Sequence, residues 1–362
     1  LLAEMHSPLD ADSSPACGVA GERGERWRKL EARLNPVLDA VLGPALETGA
    51  QHVFVLAPGA LRTLPLIGLR ASGQPLFARV SSVVHLPSLD NATPLDEGSR
   101  EACLLGKHHV EGDTAFGESA IETLRRWFEP RVLRPPQEAT TTIVEVDQLE
   151  PIATTLRSLR FYGVGSVMAV RPALACMDLE GQRRFIENNT RDLFLPHCEV
   201  ELWAATAGSG PVDTILRDNE DRIPGLARCF LLSGARGVLD LAWPVHDLVK
   251  ALICERFGIE RRTGRFSGPA ALAAAISWAA ETLLRWRDAA GTAQSPREAL
   301  AWLDEVRRAA ARDAGPDPRA VISFASRADA PCIAGRSVRE ILDEVCCSAH
   351  FAAFRWWGWL EG

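Results

Sequence analysis

Residues 199–248 read EVELWAATAGSGPVDTILRDNEDRIPGLARCFLLSGARGVLDLAWPVHDL. VELWAA (200–205) is a short apolar run that stops at Thr206-Ala207-Gly208-Ser209-Gly210, the pattern of a buried strand feeding a small-residue loop. From Ile223 to Ser233 the apolar residues Ile223, Leu226, Ala227, Phe230 and Leu231 fall at helical spacing. Gly234 follows, and glycine accepts the left-handed backbone that ends helices. GVLDLAW (237–243), closed by Pro244, is a second strand. Strand, loop, helix and strand in that order make a right-handed crossover unit of a parallel sheet. In such sheets ligands bind beyond the carboxyl ends of the strands, which points to the loop from Ala205 to Gly210.

The same alternation extends outward in both directions. Upstream, Trp27, Leu30, Leu34, Val37, Leu38, Val41 and Leu42 predict an amphipathic helix over 26–46. HVFVLA (52–57) predicts a strand before a Pro58-Gly59 turn, and 77–89 supplies another strand or two. ACLLG (102–106) reads as a strand, 117–128 as a helix ending before Pro130, and 131–140 as a strand and turn. Residues 143–156 read as mainly helical, interrupted at Pro151, and SLRFYGVG (158–165) as the next strand. Residues 173–181 and 193–202 lead into the central unit. Downstream, helices are expected over 248–257, 270–287, 296–312 and 338–346, followed by the aromatic-rich SAHFAAFRWWGWLEG (348–362). Residues 1–24 have no period and read as a linker or frayed start. No internal repeat is found, and in particular no ~34-residue helical period.

Composition narrows the function classes. A chain of 362 residues with 47% hydrophobic and 24% charged residues is an ordinary globular sequence with room for one large core or two smaller ones. A net charge of −7 argues against nucleic acid as the main partner, because phosphate contacts need a basic face. The nine cysteines are odd in number and irregularly spaced, and Cys103, Cys229 and Cys254 lie inside apolar runs. They read as reduced core residues of a cytoplasmic protein rather than a disulfide framework. Neither Cys346-Cys347 nor His108-His109 has a companion at zinc-ligand spacing, so neither a metal nor another cofactor is expected. No apolar run reaches the ~20 residues of a membrane span. Residue 1 is Leu, and the chain reads as part of something longer or as a processed product.

Seven short segments, in order along the chain, resemble those of CHAT domains. These are caspase- and separase-like cysteine peptidase domains usually found behind tetratricopeptide repeats. Gly59, Leu61, Leu64 and Pro65 match a Gly-x-Leu-x-x-Leu-Pro segment, and Pro87-Ser88-Leu89 a Pro-Ser-Leu. Residues 131–140 match a Val-Leu-x-x-x-x-Ala-Thr segment, 158–165 a Leu-His-Phe-Ala-x-His-Gly strand, and 173–181 and 193–202 the lead-in to the nucleophile strand. Ala352, Ala353 and Phe354 match a terminal Trp-Ala-x-Phe strand. The resemblance covers about residues 26–358. It implies a caspase-like α/β fold, a mostly parallel sheet flanked by helices. It further implies an N-terminal pseudo-caspase-like subdomain over 25–150 and a caspase-like subdomain over 151–362, the latter with an Ala/Arg-rich insertion at about 288–335.

The resemblance also locates a missing reaction. Where the family has its nucleophile, in Leu-Ser-Ala-Cys-x-Thr-Gly, this chain has Leu202-Trp203-Ala204-Ala205-Thr206-Ala207-Gly208. Ala205 stands at the Cys position. Val164 stands at the position of the general-base His, with Gly165 kept and Arg160 in place of the strand's first His. A cysteine peptidase needs a thiolate and an imidazole to move its proton, and neither side chain can supply one. The expectation is a pseudopeptidase that keeps a vestigial cleft for protein–protein recognition or regulation. Its partner would be a protein or peptide such as an active peptidase homologue or a tetratricopeptide-repeat protein. The cleft would be lined by Gly165, Thr206, Gly208, Ser209, Asp213 and Asp247, the last also suited to cap the following helix.

Other readings stand beside this one. An active endopeptidase whose Cys was changed to Ala at 205 explains Ala205 but not Val164. Chemistry relocated to His197-Cys198 or His246 meets the objection that neighbours on a strand point to opposite faces. The domain could also serve only to stabilise a larger repeat-containing protein. The three tryptophans Trp356, Trp357 and Trp359 are either a partner-binding surface or part of the core.

Overall fold

The structure, a computed structural model, describes residues 18–57, 64–87, 91–92, 100–105, 141–143, 149–162, 164–168, 171–178, 184–186, 190, 193–196, 198–205, 225–243, 245, 247–262, 266–292, 343, 346–358 and 360–361. In chain order its strands are β1 (His52–Val55), β2 (Arg70–Ala71), β3 (Gln74–Pro75), β4 (Ser82–His85), β5 (Asn91–Ala92), β6 (Arg100–Leu105), β7 (Thr141–Ile143) and β8 (Leu156–Tyr162). They continue as β9 (Val164–Met168), β10 (Arg171–Asp178), β11 (Arg184–Ile186), β12 (Glu199–Ala205), β13 (Gly237–Leu241), β14 (Phe354–Gly358) and β15 (Leu360–Glu361). The helices are α1 (Gly18–Glu47), α2 (Leu76–Arg79), α3 (Gly225–Leu232), α4 (Asp247–Arg262), α5 (Gly268–Thr292) and α6 (Ser348–Phe351).

Eight strands form one sheet in the order β1-β4-β14-β13-β12-β8-β6-β7. Every neighbouring pair is parallel except β13 and β14. The sheet is therefore two parallel blocks, β1-β4-β14 and β13-β12-β8-β6-β7, joined at one antiparallel seam. With its helices this is an α/β fold built on a mostly parallel sheet. Strands from before residue 150 and after it share the sheet, and the C-terminal β14 sits between β4 and β13.

Alternation along the strands divides the core. Leu239, Leu241, Phe354 and Trp356 pack in one cluster with Val249, Leu252 and Phe257 of α4, Ile276 and Leu283 of α5, and Trp27 and Leu30 of α1. Their strand neighbours Val238 and Trp357 pack in the other with Val200, Leu202, Phe161 and the α3 residues Leu226, Ala227, Phe230 and Leu231. Successive residues of a strand face opposite ways, so these clusters lie on opposite faces of the sheet. Burial of strands on both faces is what near-continuous apolar runs such as GVLDLAW require. The β12-α3-β13 unit forms as its apolar pattern predicts, with Gly234 at φ +95 ending the helix.

Several local details differ from the sequence expectation. α1 begins at Gly18 and carries Pro36 and Pro44 in its interior, both exposed, where a missing amide faces water rather than the core. Residues 76–79 form a helical turn rather than strand, so among the described residues of the 77–89 segment only 82–85 pair in the sheet. Of the segment 143–156 expected to be helical, Ile143 ends β7, residues 150–155 make a 3-10 turn with Pro151 near its start, and 144–148 lie outside the described residues. Within the expected insertion, residues 288–292 are the last residues of α5. The expected helices at 117–128 and 296–312, the segment 131–140 and most of 338–346 lie outside the described residues.

Candidate functional site

β8 and β12 lie side by side, parallel, with their last register pair at Trp203 and Tyr162. Ala205 is two residues beyond Trp203, and Val164 is two residues beyond Tyr162. Ala205 therefore ends β12, whereas Val164 lies past the end of β8, in a segment that still packs against β12. The strand expected over 158–165 is not continuous. It ends at Tyr162, and Val164 opens β9, which pairs antiparallel with β10 through Val164–Asp178 and Gly165–Met177. From Val164 the backbone pairs instead in a separate three-stranded sheet.

On its other side β12 advances from Glu201 to Ala205 while β13 advances only from Leu239 to Leu241. This register irregularity sits directly before Ala205. Bulges of this kind bend a strand and re-aim its end. Asp247 is the first residue of α4, which follows the carboxyl end of β13. Ala205 and Asp247 therefore both lie at the carboxyl edge of the parallel block, and Val164 and Gly165 follow the β8 end at that edge within β9. Thr206, Gly208, Ser209 and Asp213 lie outside the described residues.

Beneath this edge lies a buried polar cluster that sequence reasoning missed. The Glu201 carboxylate accepts bonds from Arg160 Nε at 2.8 Å, Ser158 Oγ at 3.3 Å and Trp203 Nε1 at 2.9 Å. Arg160 and Glu201 are cross-strand register partners, and all four residues are buried. A buried charge is tolerated only when paired and hydrogen-bonded, and here both ions are. The cluster ties β8 to β12 one turn of the pleat below the site, so Arg160 is a structural cation. The legible signal was alternation: Glu199, Glu201 and Trp203 share one face of a strand that is otherwise apolar. Glu199 meets Arg261 of α4, and burial raises its carboxyl above the ordinary range against the pull of that arginine.

Cys198 precedes β12 at its amino end, opposite to Ala205. It is fully buried, its Sγ donates to the Glu199 carbonyl at 3.4 Å, and burial together with Glu199 and Glu201 pushes its thiol well above the normal value. A thiol held protonated is a poor nucleophile. His197 and His246 lie outside the described residues. Among the described residues no group of His, Cys, Asp or Glu is placed to hold a metal ion.

Trp356 and Trp357 are core residues and offer no exposed aromatic surface. The Trp356 indole occupies a slot where a Cβ on Gly237 would come within 2.7 Å and one on Gly268 within 2.1 Å. Trp357 Nε1 donates to Asp240 Oδ1 at 3.2 Å, and Asp240 also receives both arms of Arg355, Nε at 2.9 Å and Nη2 at 2.6 Å. Asp240 and Arg355 are register partners across the antiparallel seam. Trp359 lies outside the described residues.

No described helix is long and apolar enough to cross a membrane. Comparison with known proteins found no family model that matches the chain and no curated protein significantly similar to it.

Proposed function

We propose that this chain is a catalytically inactive, CHAT-type pseudopeptidase with a caspase-like fold, which holds a protein or peptide partner at the carboxyl edge of its parallel block. One observation carries the reading. Ala205, at the family's Cys position, ends β12, and Val164, at its His position, follows the end of the neighbouring parallel β8 in a strand packed against β12. Neither residue has an atom that can attack a carbonyl or move a proton. Losing one member of such a unit forfeits most of its rate, and here both are replaced. What a vestigial cleft retains is strand ends, loop amides and a bulge next to the site, which suit binding of an extended chain. Regulation of an active homologue, or docking of a tetratricopeptide-repeat protein, is the role that such binding serves.

The test uses the natural full-length protein. It is incubated with an unfolded-protein and peptide library, new termini are sought by mass spectrometry, and peptide ligands are selected by display. The expected result is no cleavage, together with peptides whose binding is lost in Ala205→Arg. New termini that vanish when a cleft residue is changed would overturn the reading in favour of an active endopeptidase. Failure to recover any ligand that depends on residue 205 would leave a structural domain instead.

A further inference from the structure

β1 closes one edge of the eight-stranded sheet. Its inner side is satisfied by β4: the Gln51 carbonyl accepts from Ser81 and Ser82, and the Val55 carbonyl from Leu86. In a parallel ladder successive residues turn their backbone groups to alternate sides, so Gln51, Val53 and Val55 bond inward. His52, Phe54 and Leu56 then turn their amides and carbonyls to the open edge, where no partner exists among the described residues. Their side chains are exposed too, Phe54 at 52% and Leu56 at 45%.

Natural edge strands are guarded by lysine, proline, a bulge or an inward-pointing charge. Residues 51–57, Gln-His-Val-Phe-Val-Leu-Ala, contain none of these. Among the described residues the edge is unguarded in both backbone and side chain.

We infer that β1 is a homodimerisation strand, on which a second copy of this chain adds its own β1 antiparallel across a two-fold axis at Phe54. The register is self-consistent. Phe54 faces Phe54 of the second copy, and His52 faces Leu56, so every outward amide and carbonyl meets its counterpart. The phenyl rings form a cross-strand aromatic pair, of the kind that stabilises sheets. A chain of net charge −7 meets its copy along a strip without a formal charge, so like charges are not brought together. A two-fold contact of this kind is closed, which limits assembly to a dimer. So short a strand pair buries less than the ~1,200 Å² typical of stable complexes, which sets the association in a weak, concentration-dependent range.

Sedimentation velocity of the whole chain from about 1 to several hundred micromolar tests the inference, a range chosen for a small interface. The expected result is a reversible shift from monomer to dimer. Phe54→Lys, an exposed position that leaves the core intact, places two ammonium groups opposite each other and moves the midpoint upward by about tenfold or more. Phe54→Cys under mild oxidation gives a covalent dimer whose link maps by mass spectrometry to position 54 of both copies. A chain that stays monomeric throughout, or a dimer unaffected by Phe54→Lys and without the 54–54 link, overturns it.

Discussion

Protonating His85 in the folded chain would set a second cation beside Arg355 in a place that water does not reach. The imidazole is 2% exposed, its ring lies 5.2 Å from the Trp357 indole, and neither ring nitrogen finds a hydrogen-bond partner among the described residues. Burial, and secondarily the Arg355 guanidinium, lowers its pKa to about 3, while Asp240 lies beyond that arginine. In the unfolded chain the same group titrates near ~6.5. The unfolded state therefore takes up a proton first as the pH falls. The stability tied to neutral His85 is complete above about 6.5 and is lost progressively toward 3, at ~1.4 kcal/mol per pH unit within that window. Between pH 7 and pH 5 the loss is about 2 kcal/mol. Asp240 works in the opposite sense, because burial raises its carboxyl and its contribution is lost as pH rises, but it is common to wild type and variant. His85→Leu removes the titration without breaking any hydrogen bond. Urea unfolding of both chains at pH 5, 6, 7 and 8 should show the variant gaining about 2 kcal/mol on the wild type between pH 7 and 5. Parallel stability–pH curves for the two proteins would refute the argument.

Four other outcomes are expected. Asp240→Asn or Arg355→Met leaves a buried ion or dipole uncompensated and should cost about 3–5 kcal/mol in urea unfolding, whereas Asp240→Leu with Arg355→Met together should cost much less than the sum. Gly68→Ala places a Cβ 2.2 Å from the Ala352 Cβ and 2.4 Å from its Cα, so backbone must move, and the melting temperature should fall by several degrees or more. Asp39→Ala removes the carboxylate that receives the Ser72 amide in the β2–β3 turn, where Ser72 has φ 52 and Gly73 φ 80. That change should cost about 1 kcal/mol, and Ser72→Gly should relieve strain at the same turn. Ala205→Cys alone should yield no proteolysis of an unfolded substrate, because position 164 still lacks a base.

Much of the architecture was legible because periodicity and burial say the same thing in this chain. β12, α3 and β13 followed from apolar runs and from Gly234, and α4 and α5 from helical spacing. Position 205 was legible as a strand end, because an apolar run gives way there to small residues. The break at Tyr162 was not. Phe161, Tyr162 and Val164 suit a continuing strand as well as a departing one, and the choice rests on pairing with β10, which lies later in the chain. The one-turn helix at 76–79 was hidden for a related reason: four residues of apolar and basic character carry no period. Glu201, Asp240 and Arg355 could be seen as charges in apolar runs, but their partners lie far off in sequence, and pairing across a sheet leaves no local trace.

Those buried charges bear on how the seam between the two parallel blocks finds its register. β14 reads Phe-Arg-Trp-Trp-Gly and is apolar and aromatic on both faces, with Trp356 in one core cluster and Trp357 in the other. A strand with a single apolar face cannot slip by one residue without exposing it, but this strand could slip and still present indoles both ways. Apolar patterning therefore leaves the seam poorly specified. A slip by one residue would carry Arg355 to the opposite face from Asp240 and leave both charges buried alone, at a cost of several kcal/mol. The Asp240–Arg355 pair and the Trp357 bond to the same carboxylate thus penalise the wrong pairings more than they stabilise the right one. β14 joins β4 to β13, and β13 in turn borders the strand that ends at Ala205. Correct placement of the last strand is in this way a condition for the shape of the candidate site.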